Sequence, residues 1–261
     1  MKNFEYKKSL GQNFLIDKNI INKIVNSIDL KEDSLIIEIG PGSGALTKEL
    51  VKLNANVISF EIDTRLKEEL DKISAENDNL EIIYEDFLKI NLKEFLEQKK
   101  YKNLYFIANL PYYITTAIIN KITDESKPAE MVLMVQKEVA ERFSAHPNTR
   151  DYGSISVYLQ YNYDISRVVL VPKTCFYPAP KVDSMVIKFK SNSDKSKALN
   201  EEKLFKLIKD SFQFKRKNLR NNLKGYDLEK IEQTLKKYNK DLTSRAESIS
   251  VDEFIDISNN L

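Results

Sequence analysis

The sequence predicts an α/β protein: a mostly parallel sheet covered by helices on both faces, followed by a small all-helical domain. Three observations carry this. Short apolar runs alternate with amphipathic stretches through the first 190 residues, a glycine-rich turn follows the first run, and apolar residues after position 200 recur every three or four positions.

The first five strands are expected at 34–39, 56–62, 80–84, 104–108 and 130–136. Amphipathic stretches near 45–53, 64–75, 90–100, 114–122 and 137–143 lie between and after them, an alternation that yields parallel strands with helical crossovers. Two further β-rich runs, 165–171 and 182–189, bring the strand count to seven. The proline-rich link between them is too short for a crossover helix, so an antiparallel hairpin is expected. The segment 153–163 reads as helix. The polar run 191–203 reads as a linker, which divides the chain into domains 1–190 and 191–261. Beyond it, Leu204, Leu207, Ile208 and Phe212, then Leu219 and Leu223, then Leu228, Ile231 and Leu235 have helical spacing.

Composition removes several classes of function. The chain has 261 residues, 42% hydrophobic and 31% charged, which fits a packed core and fits neither disorder nor a membrane protein. No apolar stretch has the length of a membrane helix, and the N-terminus has no apolar core of the signal-peptide kind. The single cysteine, Cys175, excludes an internal disulfide, suits a cytoplasmic protein and reads as a buried small residue. The single histidine, His146, lies in a polar stretch, and one cysteine plus one histidine do not build a metal site of that type; no metal is expected. No G-x-S-x-G motif is present for a serine hydrolase.

The chemistry concentrates where successive strands end. The first strand runs into Glu38-Ile39-Gly40-Pro41-Gly42-Ser43-Gly44, a turn whose glycines let the backbone approach a ligand closely at a helix N-terminus. Gly40, Gly42 and Ala45 also satisfy the dinucleotide pattern G-x-G-x-x-A, so a nicotinamide oxidoreductase is one alternative. Pro41 and the acidic Glu38 favour a nucleoside-methionine ligand instead. The second strand ends at Glu61-Ile62-Asp63, with a carboxylate about 20 residues past the glycines, as a ribose diol requires. The third ends at Glu85-Asp86-Phe87, where Asp86 is a candidate acceptor for an adenine amino group and Phe87 a ring to pack on it. Each acid alone is commonly a helix cap. The fourth ends at Asn109-Leu110-Pro111-Tyr112, the most specific signal in the chain. An amine conjugated into a purine is a poor nucleophile until acceptors draw its hydrogens out of the ring plane. The Asn109 side-chain carbonyl and the Leu110 main-chain carbonyl suit that task, with Pro111 stiffening the turn and Tyr112 offering a stacking face. Phe176, in Thr174-Cys175-Phe176-Tyr177-Pro178-Ala179-Pro180-Lys181-Val182-Asp183-Ser184, is either the second face for the base or a core aromatic beside a rigid loop.

Net charge is +2, but residues 203–224 carry eight basic side chains against Asp210 alone. Lys215, Arg216, Lys217 and Arg220 form the densest part. Such a cluster is either a phosphate-binding patch or a solvated face.

Together these residues resemble the small-subunit (16S) ribosomal RNA adenine dimethyltransferases, the KsgA group, over nearly the whole chain. Leu10-Gly11-Gln12-Asn13-Phe14-Leu15 is similar to the family's N-terminal cofactor segment. Glu38–Gly44 and Asn109–Tyr112 resemble its glycine and N-L-P-Y motifs, and Phe176–Ser184 its F-x-P-x-P-K-V-D-S. Arg216–Asn221 and Arg245-Ala246-Glu247 resemble its tail signatures. Tyr113 and Ala179 depart from the usual pattern. The resemblance implies a class I, Rossmann-like methyltransferase domain with a C-terminal helical domain that binds RNA. It implies S-adenosyl-L-methionine held by Asn13, Leu15, Gly40, Glu61, Asp86 and Asn109, with Gly42, Ile62 and Phe87 adjoining. The implied reaction is N6 dimethylation of two adjacent adenosines near the 3′ end of small-subunit rRNA, on a late assembly precursor, by a monomer. Large-subunit enzymes of the macrolide-resistance type share the catalytic motifs and remain an alternative, as does an assembly factor with secondary catalysis.

Overall fold

The computed structural model describes residues 12–191 and 196–261. By their contacts these form two units: the first comprises residues up to 140 plus 166–191, the second 141–165 plus the C-terminal segment. Leu10 and Gly11 of the N-terminal motif lie outside the described residues.

The first unit begins with a short strand, β1 (Phe14–Leu15), then α1 (Lys18–Asn26), capped by Asp17, whose carboxylate accepts from the Asn19 and Ile20 amides. The alternation then runs β2 (Ser34–Ile39), α2 (Thr47–Leu50), β3 (Asn56–Phe60), α3 (Lys67–Ala75), β4 (Leu80–Ile83), α4 (Leu92–Glu97), β5 (Asn103–Asn109), α5 (Thr115–Glu125), β6 (Glu130–Gln136) and α6 (Lys137–Phe143). After α7 (Ser154–Asn162) come β7 (Tyr163–Val171), β8 (Phe176–Tyr177) and β9 (Ser184–Ser191). The main sheet has the expected seven strands, and they lie in the order β4-β3-β2-β5-β6-β9-β7. Its first five are parallel and β9 runs antiparallel to β6.

All six residues of β2 are buried, because helices cover both faces of a parallel sheet. Ile36 and Ile37 are fully enclosed. Truncating either to alanine costs about 2–5 kcal/mol, combining lost transfer energy with a cavity. The chain reverses direction across the sheet between β2 and its neighbour β5, so their carboxyl ends open a crevice.

Two expectations are corrected, and one element was not expected at all. The boundary at 190/191 leaves 141–165 in the first domain, whereas these residues pack with the C-terminal helices: Ala145, Tyr152, Val157 and Tyr161 share a core with Leu204, Leu207 and Phe254. An unexpected two-stranded antiparallel ribbon pairs β1 with β8, with Leu15 opposite Phe176. Two-residue strands are too short for any periodicity to reveal. Cys175 is half-buried, at the margin of the core, and donates to Asp17 Oδ2 at 3.6 Å, because it lies at the start of that ribbon.

The C-terminal segment of the second unit holds α8 (Glu201–Ser211), α9 (Leu219–Asn222), α10 (Leu228–Lys236) and α11 (Val251–Asn260). The apolar residues expected at helical spacing form its core. Of the Arg245-Ala246-Glu247 signature, Ala246 is buried in that core and the Glu247 carbonyl accepts from the Asn148 amide at 2.8 Å.

Candidate active site

A cavity of about 230 Å³ lies at the carboxyl ends of β2, β3, β4 and β5. Residues 12–15 form part of its wall, facing the glycine turn.

That turn requires glycine. Gly40, Gly42 and Gly44 all have positive φ, between 58° and 75°. A Cβ on Gly42 would stand 2.6 Å from the Phe14 ring, so the missing side chain is what lets the N-terminal segment close over the turn. A Cβ on Gly40 would meet nothing within 4 Å and would project into open space; Gly40 itself lines the cavity.

Four carboxylates surround this turn, each in a distinct environment. Glu38 is fully enclosed, with Oε2 accepting from Thr47 Oγ1 at 2.8 Å and Ser59 Oγ at 2.6 Å; burial pushes its pKa up to about 7. Glu61, just past β3, accepts from the Gly42 amide at 3.0 Å and the Asp63 amide at 2.8 Å. Its pKa is raised by burial against the pull of those amides. Each Glu61 oxygen keeps a second acceptor direction for a ligand hydroxyl. Asp63 is gripped by Arg65 through Nε at 2.8 Å and a terminal nitrogen at 2.6 Å, and by Gln12 Nε2 at 2.6 Å. The Arg65 hydrogen bonds hold its pKa at about 2. Asp86 caps the short turn Phe87–Lys89 through Oδ1, which accepts from the Leu88 amide at 3.0 Å, and lines the cavity. The cap and the ligand-binding expectations therefore hold on different oxygens of one carboxylate.

At the end of β5, Asn109 Nδ2 donates to the Asn13 carbonyl at 3.0 Å. The bond fixes which end of the amide is nitrogen and leaves Oδ1 at the other end as a free-standing acceptor. The Leu110 amide donates to the Met134 carbonyl at 3.1 Å, and the Pro111 carbonyl accepts from the Ile114 amide and the Thr115 hydroxyl. The Leu110 carbonyl accepts no hydrogen bond among the described residues. Tyr112 is half-buried, its hydroxyl 2.7 Å from Ser184 Oγ, and burial raises its pKa, so it stays protonated at neutral pH.

The structure gathers the predicted Asn13, Leu15, Gly40, Gly42, Glu61, Ile62, Asp86, Phe87, Asn109, Leu110, Pro111 and Tyr112 around this one cavity. Ile62 is 51% exposed at its rim, and Phe87 is buried edge-on against Phe60 with centroids 5.4 Å apart. Phe176 is the exception. Pairing across from Leu15 turns its side chain into the hydrophobic core, where it is 3% exposed, and it is not on the cavity wall. Of its two expected roles, the core aromatic is the one the geometry fits. Sequence reasoning missed Asp63 and Gln12, whose pairing latches residues 12–15 to the end of β3; an acid one residue past a strand-end motif carries no signal of a distant partner.

Lys215, Arg216, Lys217 and Arg220 are all exposed, away from this cavity in sequence and within the second unit. The first three occupy a turn between α8 and α9; none lies on a regular helix. Arg220 is 3.9 Å from Glu232.

A family model described as ribosomal RNA adenine dimethylase matches residues 3–261. A Bacillus cytotoxicus protein named ribosomal RNA small subunit methyltransferase A is 42% identical over 99% of this chain and 92% of its own length. A Bacillus mycoides protein of the same name matches at the same identity and coverage. Among solved structures, a dimethyladenosine transferase from Plasmodium falciparum superposes with a TM-score of 0.76 at 25% identity, covering 93% of this chain and 95% of the other. The 23S rRNA methyltransferase ErmE gives 0.77 at 25% identity, covering 95% and 99%. Backbone likeness alone thus does not separate these two substrate classes.

Proposed function

The chain belongs to the ribosomal RNA adenine dimethylase family, and from that premise we propose how its cavity works and on what. It is an S-adenosylmethionine-dependent methyltransferase acting on adenine N6 of small-subunit rRNA; its 42%-identical relatives carry that subunit in their name. The nicotinamide reading of the glycine turn falls with the family assignment.

The observation that carries the mechanism is the Asn109–Asn13 hydrogen bond, which orients an amide oxygen on the cavity wall beside the glycine turn. When bound, S-adenosylmethionine supplies a methyl group on a positively charged sulfur. Gly40 and Gly42 allow the backbone to approach it. Glu61 would receive its ribose hydroxyls and Asp86 its adenine amine, with Ile62 and Phe87 lining the adenine pocket. Asn13 and Leu15 close the wall. Asn109 Oδ1 and the Leu110 carbonyl would accept the two N6 hydrogens of the target adenosine, or the one left after the first transfer, drawing the nitrogen lone pair out of conjugation; each transfer gives the methyl to N6, leaves the donor as a neutral thioether and releases one N6 proton to solvent. Pro111 fixes that turn and Tyr112 stacks on the base.

The substrate is two adjacent adenosines in a hairpin near the rRNA 3′ end, within a late precursor of the small subunit in the cytoplasm. The first unit catalyses, and the second binds RNA through Lys215, Arg216, Lys217 and Arg220. The enzyme acts as a monomer.

Incubation with labelled S-adenosylmethionine and a mixture of undermethylated small subunits and large-subunit rRNA, followed by mapping of the label, tests this. Two adjacent dimethyladenosines in the small-subunit hairpin are expected; label on large-subunit rRNA alone would transfer the protein to the macrolide-resistance class.

A further inference from the structure

The Lys181-Val182-Asp183-Ser184 half of the proline-rich motif has no part in the mechanism above, yet it ends in a hydroxyl that reaches it. Ser184 opens β9 opposite Gln136 of β6, and its side chain is fully enclosed. The residue before it is held twice: the Asp183 carbonyl accepts from the Lys137 amide at 3.0 Å, and Asp183 Oδ1 from the Lys173 amide at 2.9 Å. Ser184 Oγ is therefore a fixed point, and its hydrogen-bond partner among the described residues is Tyr112, at 2.7 Å. Strands β5 and β9 are not neighbours; β6 lies between them. The bond thus ties the loop leaving β5 across the end of β6 to the first residue of β9.

We propose that Ser184 is a positioning residue for the methyl transfer: it tethers the Tyr112 hydroxyl so that the ring is already oriented when the target adenine arrives. A tyrosine ring turns about two side-chain bonds; a hydrogen bond at its far end fixes the first, which places the ring, and, because a phenol O–H prefers the ring plane, biases the second. Without the tether, the ring must be ordered at the moment the base stacks, which lowers the population of productive complexes. Asn109 and the Leu110 carbonyl act only on a base whose plane is already set, so ring freedom is felt in turnover. S-adenosylmethionine binding does not involve the tether and is unaffected.

The proposal rests on the stacking role given to Tyr112, and three variants separate the two claims. Tyr112→Ala tests the stacking role. Ser184→Ala and Tyr112→Phe each remove the tether and leave a ring. Methyl transfer to undermethylated small subunits is measured for these, for the double variant Ser184→Ala/Tyr112→Phe and for the intact protein, beside the dissociation constant for S-adenosylmethionine and the thermal midpoint. Ser184→Ala and Tyr112→Phe are each expected to lower kcat by about three- to tenfold, the range for freeing one side chain. Cofactor affinity should stay unchanged, and the double variant should be no worse than the poorer single one, since both remove the same bond. Near-normal turnover in Tyr112→Ala would sink the stacking role itself. A severe loss there with Ser184→Ala at full activity, or single losses that multiply in the double variant, would overturn the tether.

Discussion

Asn109 Nδ2 donates to the Asn13 main-chain carbonyl at 3.0 Å, so the residue that ends β5 also holds the segment facing the glycine turn. One side chain joins the proposed amine contact to the cofactor wall.

Asn109→Ala is expected to lower methyl transfer at least 100-fold, the scale on which misplaced reacting groups act, with the fold intact. Asn109→Asp keeps an acceptor but sets a carboxylate against the Asn13 carbonyl, so it should weaken S-adenosylmethionine binding as well. Turnover assays and calorimetric titration of the cofactor check both; near-normal turnover in the alanine variant would refute the amine contact.

Gly42→Ala places a Cβ 2.6 Å from the Phe14 ring at a φ of 58°. Backbone strain of this kind costs about 1–3 kcal/mol. The thermal midpoint should fall by several degrees and cofactor affinity should drop, since Phe14 must retreat. An unaltered dissociation constant would show that the N-terminal segment contributes nothing to binding.

Two carboxylates give opposite pH signatures. Asp63 has a folded pKa of about 2, below its usual 3.8, so its contribution is present above the usual value and is lost as pH falls through about 2. Asp63→Asn should therefore destabilise at neutral pH and lose its effect below about pH 2. Glu38 is raised from 4.5 to about 7 by burial, so folding favours its protonated form; stability is full below the usual value and declines as pH rises through 7. Glu38→Gln should thus raise the thermal midpoint at pH 8 relative to the parent and change it less at pH 5. Melting curves between pH 5 and 8 decide the sign for Glu38, and curves from neutral pH down to about 2 the sign for Asp63.

Replacing Lys215, Arg216, Lys217 and Arg220 with glutamine should weaken binding of small-subunit RNA and shrink its salt slope by about 0.7–0.9 for each phosphate no longer neutralised. Arg220, close to Glu232, should contribute least. A slope identical to the parent's would mark the turn as solvated surface.

The strand-end chemistry was legible because class I topology writes it locally: a glycine turn, an acid after β3, an acid after β4 and Asn109-Leu110-Pro111-Tyr112 each sit where a strand stops. All seven main strands were visible through short runs rich in apolar residues, bounded by polar ones. What escaped was whatever depends on two distant segments meeting. Nothing in Phe14-Leu15 or Phe176-Tyr177 marks them as partners, so the fate of Phe176 as a core residue was hidden. The Gln12–Asp63 latch and the Ser184–Tyr112 bond were invisible for the same reason. Residues 141–165 were assigned by position along the chain, although their aromatic side chains belong to the core of the second unit.

The β1–β8 ribbon joins nearly the first described residues to the last loop before β9. During synthesis, Phe14 and Leu15 leave the ribosome long before Phe176 and Tyr177 exist to pair with them. A nascent chain can lay down β2 to β6 in order, but Phe14 and Leu15 gain their strand partner only once the segment around Tyr177 has emerged. The ribbon is therefore among the last pieces of the first unit to form, although one of its two strands is among the first made.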